Sequence, residues 1–129
     1  MDKKKLLQDI LDTYVQLQPS STHGIGVFAI RSIPKGCRKM FSDQGEWITL
    51  PKKDVEQLPA YCKKMISRYC TFDKNNYYLE KTGFKKMDLS CYINHSATPN
   101  IISIENGRYF EALRTIRAGE ELFVDYGKL

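Results

Sequence analysis

No uninterrupted apolar run in this sequence is longer than a few residues, so no segment reads as a membrane span. Histidine is scarce, with His23 and His95 the whole supply, and the cysteines Cys37, Cys62, Cys70 and Cys91 form no Cys-x-x-Cys pair. Structural zinc draws on closely spaced ligand pairs, so the pattern predicts no metal site and free thiols in a reducing compartment. A Gly-x-Ser-x-Gly elbow, an internal repeat and a low-complexity tract are all missing. The opening Met1-Asp2-Lys3-Lys4-Lys5-Leu6-Leu7 is basic and then apolar, but Asp9 and Asp12 arrive too soon for a secretory core. The expectation is a soluble, unprocessed protein of the cytoplasm, or of the nucleus if the source is eukaryotic.

What is present fits one domain: 129 residues, 42% hydrophobic and 27% charged, a balance neither disordered nor fibrous. The net charge is +5, unevenly spread, with eleven basic and seven acidic residues up to position 65 and nine against eight beyond it. The clusters Lys3-Lys4-Lys5, Arg38-Lys39, Lys52-Lys53, Lys63-Lys64 and Lys85-Lys86 are scattered along the chain. They read first as solvated surface, so nucleic acid is not an expected partner except indirectly.

Leu6, Leu7, Ile10, Leu11 and Tyr14 recur at helical spacing and predict an amphipathic N-terminal helix capped by Asp2. Val15 and Leu17 alternate with glutamines as a strand does, and Val27–Ile30 predicts a second strand closed by the Pro34-Lys35-Gly36 turn. Arg38–Phe41 and Trp47–Leu50 are further short strand candidates. Lys52–Leu58 and a helix opened by Pro59 follow, the latter with a stripe of Tyr61, Cys62, Met65, Ile66 and Tyr69 read as core. Asp73–Asn76 reads as a turn, Tyr77–Glu80 and Phe84–Asp88 as strands, and Leu89–His95 is open by periodicity. Ile101–Ile104 and Tyr109–Leu113 flank Asn106-Gly107, which suits a type I′ hairpin turn. Arg117–Glu120 is a turn and Leu122–Val124 a last strand. Together these predict an α+β domain, mostly β.

Three segments carry chemistry: His23-Gly24-Ile25-Gly26-Val27-Phe28-Ala29, Tyr92-Ile93-Asn94-His95-Ser96-Ala97-Thr98-Pro99-Asn100, and Ala118-Gly119-Glu120-Glu121-Leu122-Phe123-Val124-Asp125-Tyr126-Gly127. Read singly, each has a plain explanation. Gly24-x-Gly26 suits a tight connection between strands and lacks the third glycine of a dinucleotide fingerprint. His95 fits a partly buried histidine, and adjacent residues such as Asn94-His95-Ser96 seldom face each other as nucleophile and base. Tyr126 alone is one of eight tyrosines.

In this order and at these separations, the segments resemble the SET-domain protein lysine methyltransferases over roughly Tyr14 to Gly127. The resemblance implies the family's β-clip fold of short sheets around a threaded C-terminal segment. Residues 1–13 would be a helical extension, 14–127 the domain, and about 52–72 a helical insert. It also implies S-adenosylmethionine as cofactor and a protein or peptide lysine as substrate. Gly24, Ile25 and Gly26 would contact the methionyl part of the cofactor, the Asn94 side chain its amino-acid end, and the His95 backbone its adenine. Tyr69 is either an aromatic cofactor contact or core. Tyr126 matches the active-site tyrosine, Asp125 and Asn100 are read as structural, and Phe41 and Val124 would line the substrate channel.

The departures are specific. Phe41-Ser42-Asp43 stands where many members carry Tyr-x-Gly, so that hydroxyl is absent, and the small Val124 would permit more than one methylation. Only Lys128 and Leu129 follow Gly127, where many members continue into a cysteine-rich lid; a homodimer or the substrate would replace it. Glu80, Asp88, Glu105, Glu111 and Glu121 form an acidic rim for a basic tail or are merely solvated. A catalytically weak or inactive SET-like peptide-binding module is the alternative reading, and a nucleic-acid binder, resting on charge alone, ranks last.

Overall fold

The computed structural model describes residues 2–41, 47–105 and 109–129. Two units make up the chain: Met1–Asp43 with Asp88–Leu129, and Gln44–Met87. In the first, helix α1 (Lys3–Leu11) begins where the Asp2 carboxylate accepts the Lys5 backbone N–H at 2.7 Å, the cap expected from sequence. None of its residues is buried, and Leu7 and Leu11 remain 63% and 68% exposed. Strand β1 (Val15–Pro19) pairs antiparallel with β2 (Ile25–Ala29), Val15 opposite Ala29. The alternation of Val15, Val27 and Ala29 points these side chains into the core.

Arg38–Phe41 is not a strand. Gly36, at φ +85°, turns the chain, and among the described residues this stretch has only the Gly36 N–H and Cys37 carbonyl exchanging hydrogen bonds with Ala112, at 2.8 and 3.0 Å. Beyond that point Met40 is held by burial in the core rather than by a ladder.

The second unit contains β3 (Trp47–Pro51), α2 (Lys52–Val55), α3 (Ala60–Tyr69), β4 (Thr71–Phe72) and β5 (Asn76–Glu80). Its antiparallel sheet has the order β3-β5-β4. The Asp73 carboxylate accepts the N–H groups of Asn75 and Asn76 at 2.9 and 2.8 Å and so builds the turn between β4 and β5. Pro59 precedes α3 as expected, but the apolar stripe is not core throughout: Ile66 is buried, while Tyr61 is 72% exposed. A short helix in so small a unit buries one position of its stripe fully, leaves Cys62 and Tyr69 half-buried and exposes Tyr61 and Met65. Phe84–Asp88 is not a strand either; Gly83 at φ +66° lies in a run of turns, and Phe84 packs its ring on Tyr69 instead.

On its return to the first unit the chain makes a 3-10 turn, Leu89–Tyr92, capped by Asp88. Strand β6 (Asn94–His95) follows, then the hairpin of β7 (Ile101–Ile104) and β8 (Tyr109–Ala112), with Ile101 opposite Ala112. The Asn106-Gly107 turn lies outside the described residues. The last strand, β9 (Phe123–Val124), runs parallel to β6. No helix among the described residues is long and apolar enough to cross a membrane.

Ile33, Ile101, Ile116, Leu122 and Val27 are fully buried at the centre of the first unit. Each contributes about 1.5–3 kcal/mol by leaving water. Around them the C-terminal segment is bonded on both edges. On one side Leu122 N–H donates to the Val27 carbonyl at 2.7 Å and Ala29 N–H to the Glu120 carbonyl at 2.9 Å. On the other, Ser96 N–H donates to Val124 and Asn100 N–H to Phe123. This is the fold expected of a threaded C-terminal segment. Asn100, 4% exposed, fastens it: Nδ2 donates to the Glu121 carbonyl and Oδ1 accepts the Phe123 N–H, both at 2.8 Å.

Asn100→Ala strips two backbone groups of their partners and is expected to destabilise the protein by about 2–4 kcal/mol, given ~1–3 kcal/mol per buried group left unpaired. Urea unfolding, with an unchanged m-value and a lower midpoint, is the check.

Candidate active site

The three motif segments converge on residues 93–95. Asn94 is buried, and its Nδ2 donates to the carbonyls of His23 at 3.0 Å and Ile25 at 3.3 Å and to Glu121 Oε2 at 2.8 Å. All three neighbours only accept, so the amide can face them through nitrogen alone, and its oxygen turns the other way. The first segment is thereby tied to the second. Tyr126 ties the third to it, since its hydroxyl donates to the Ile93 carbonyl at 2.6 Å and its backbone N–H to His95 Nδ1 at 3.0 Å. The His95 and Tyr126 rings pack with centroids 5.2 Å apart. Asp125 accepts the Gly127 N–H and caps the final 3-10 turn.

The glycines differ in what they are for. A Cβ on Gly26 would collide with Glu121 Oε2, so the missing side chain makes room for the protein's own carboxylate. Gly24 has φ +50° with nothing within 4 Å of a Cβ, so its backbone faces open space.

Phe41 packs edge-on against Phe110, with centroids 5.4 Å apart, and borders a cavity of about 600 Å³ with Tyr14, Met40, Leu89, Asp9 and Asp12. Val124, the other channel candidate, is buried in the core. Tyr69 belongs to the second unit, where its ring lies 6.2 Å from Phe84. Among the described residues no group of three His, Cys, Asp or Glu side chains is placed to hold a metal ion.

Sequence reasoning missed Ser20, Ile93 and the inward role of Glu121. Ser20 Oγ donates to Glu121 Oε1 at 2.7 Å and accepts the N–H groups of Thr22 and His23. Adjacent Glu120 and Glu121 look alike in sequence, but the chain leaves a turn between them, and only Glu121 makes an isolated bridge, to Phe28. Glu120 goes to the surface turn, where hydrogen bonds from Arg114 and from the Arg117 backbone hold its carboxyl below the usual range. Of the supposed acidic rim, Glu111 pairs with Arg38 at 2.9 Å and Glu121 faces Asn94.

A family model of the SET domain matches residues 24–127, and the chain belongs to the SET-domain family. A crystal structure of a Plasmodium falciparum protein provisionally named a histone methyltransferase superposes with a TM-score of 0.60 at 20% identity. The match covers 91% of this chain and 96% of that one, and at this identity the likeness is one of fold.

Gly26→Ala is expected to destabilise by about 2–3 kcal/mol, because the new methyl displaces Glu121. Gly24→Ala, with open space and only left-handed strain, is expected to cost about 1 kcal/mol. Thermal unfolding of the pair ranks them. Burial raises the Tyr126 phenol above its ordinary value of 10.0. The unfolded chain therefore releases this proton first, and the stability tied to it is complete below pH ~10 and lost as pH rises toward the folded value. Wild type should lose more stability than Tyr126→Phe between pH 9.5 and 11, read by urea titrations at each pH.

Proposed function

We propose that the protein is an S-adenosylmethionine-dependent protein lysine N-methyltransferase. The observation that carries this reading is the convergence on Ile93-Asn94-His95 of the His23–Gly26 loop, through Asn94 Nδ2, and of Tyr126, through its hydroxyl and backbone. The residues fit the cofactor. Gly24 leaves the loop backbone open, and the fixed Asn94 amide, its nitrogen on three acceptors, keeps its uncharged oxygen on the opposite side, an acceptor suited to an ammonium donor. When bound, S-adenosylmethionine supplies a methyl group on a positively charged sulfur, which a neutral lysine amine accepts.

The chain's own part is alignment, which replaces an improbable encounter by a fixed one. Tyr126 keeps its proton at neutral pH, and that proton is committed to the Ile93 carbonyl. The phenol oxygen then offers its lone pairs to an amine N–H and steers the nitrogen. A substrate lysine must arrive deprotonated, against a reference pKa of about 10.4, and a desolvated channel lowers that barrier. The name of the Plasmodium neighbour supports a protein substrate and makes histones the first to try.

A second reading, a peptide-binding module with weak or no turnover, is favoured by one observation: Phe41 has no hydroxyl and spends its ring on Phe110. Calorimetric titration with S-adenosylmethionine, followed by mass spectrometry of methyl transfer to mixed histones, separates the two. Tyr126→Phe should lower kcat by about a hundredfold through misalignment, with cofactor Kd changed by less than about twofold, since the backbone bond to His95 survives. Binding without transfer would favour the module, and a folded wild type that binds no cofactor would overturn the proposal.

A further inference from the structure

Glu121 is a partly buried carboxylate whose hydrogen-bond partners are all neutral. Ser20 Oγ donates to Oε1 at 2.7 Å and Asn94 Nδ2 to Oε2 at 2.8 Å. Among the described residues it makes no ion pair. It also lies directly against the loop, since Oε2 fills the space a Gly26 side chain would take. A carboxylate withdrawn from water and held only by neutral donors keeps an uncompensated negative field, which favours any cation that enters beside it. Its bond to Asn94 extends that field. An amide that donates to a carboxylate is polarised, and its oxygen becomes the stronger acceptor. The carbonyls of His23 and Ile25, both turned to the same amide nitrogen, add to the negative side of the site.

Resting on the methyltransferase reading, we propose that Glu121 is a positioning residue that, through Asn94, supplies the countercharge for the α-ammonium group of the cofactor. It selects a ligand carrying a cationic amino-acid end. A structural role would only hold Asn94 and the loop in place, whereas a charge role discriminates between ligands that differ by one ammonium.

The probes are S-adenosylhomocysteine and its desamino analogue, titrated calorimetrically into wild type, Glu121→Gln and Ser20→Lys. Glutamine keeps the shape and can still accept from Asn94 through its oxygen, but removes the charge. Lysine at position 20 neutralises Oε1 from outside and leaves Oε2 on Asn94, so it decides the matter should Glu121→Gln not fold, which a thermal melt reveals. Wild type should prefer the ammonium-bearing ligand, and each variant should lose about tenfold of that preference, with affinity for the desamino analogue changed by less than about twofold. Equal weakening of both ligands, or an unchanged preference, would overturn the inference while leaving the cofactor reading intact. A folded wild type that binds neither ligand would overturn both.

Discussion

Glu121 is gripped at both ends by the two polar side chains that are buried among the described residues: Asn100 holds its backbone carbonyl and Asn94 its carboxylate. The first unit depends on this double grip. The segment between β2 and residues 94–100 is held by noncovalent contacts, and its short strand contributes few ladder bonds of its own. Two uncharged amides, each with donors and an acceptor, are suited to the task. They saturate strand-end backbone groups inside the protein without the desolvation penalty that a buried charge would carry.

The grip also determines where chemistry is possible. With Glu121 fixed, Leu122 fills the core, β9 runs beside β6, and the chain emerges at Tyr126 with its hydroxyl on Ile93 and its amide on His95. The same Asn94 nitrogen reaches back to the carbonyls of the His23–Gly26 loop. One residue thus sets the spacing between the loop and the tyrosine, and a disturbance at Gly26 passes to both. The second unit makes its own sheet and its own aromatic contacts, and the convergence on residues 93–95 lies wholly in the first.

Legibility followed the range of the interactions. Asp2 caps α1 through a neighbour three residues away, and Asp73 builds its turn within three residues, so both were readable. The β7–β8 hairpin followed from alternation with turn residues between, and β1 and β2 were readable as strands, whereas their pairing with each other was shown by the structure. Arg38–Phe41 and Phe84–Asp88 have strand-like composition, but a strand exists only where another edge is in reach, and each segment is left without one by a nearby left-handed glycine. The α3 stripe was legible as amphipathic but not as buried, because burial depends on what lies opposite.

The sequence by itself determined the ordered motifs, the family they resemble, the turns at Pro34–Gly36 and Arg117–Glu120, and the identity of Tyr126 as the residue to watch. Only the tertiary structure decided that Gly26 is small for the sake of Glu121, that Glu120 and Glu121 part company, and that the Asn94 amide is turned by three acceptors. Those facts join positions 20, 26, 94 and 121 across most of the chain. Contacts at such separations are set by the packing of whole strands, which local propensity and spacing do not encode.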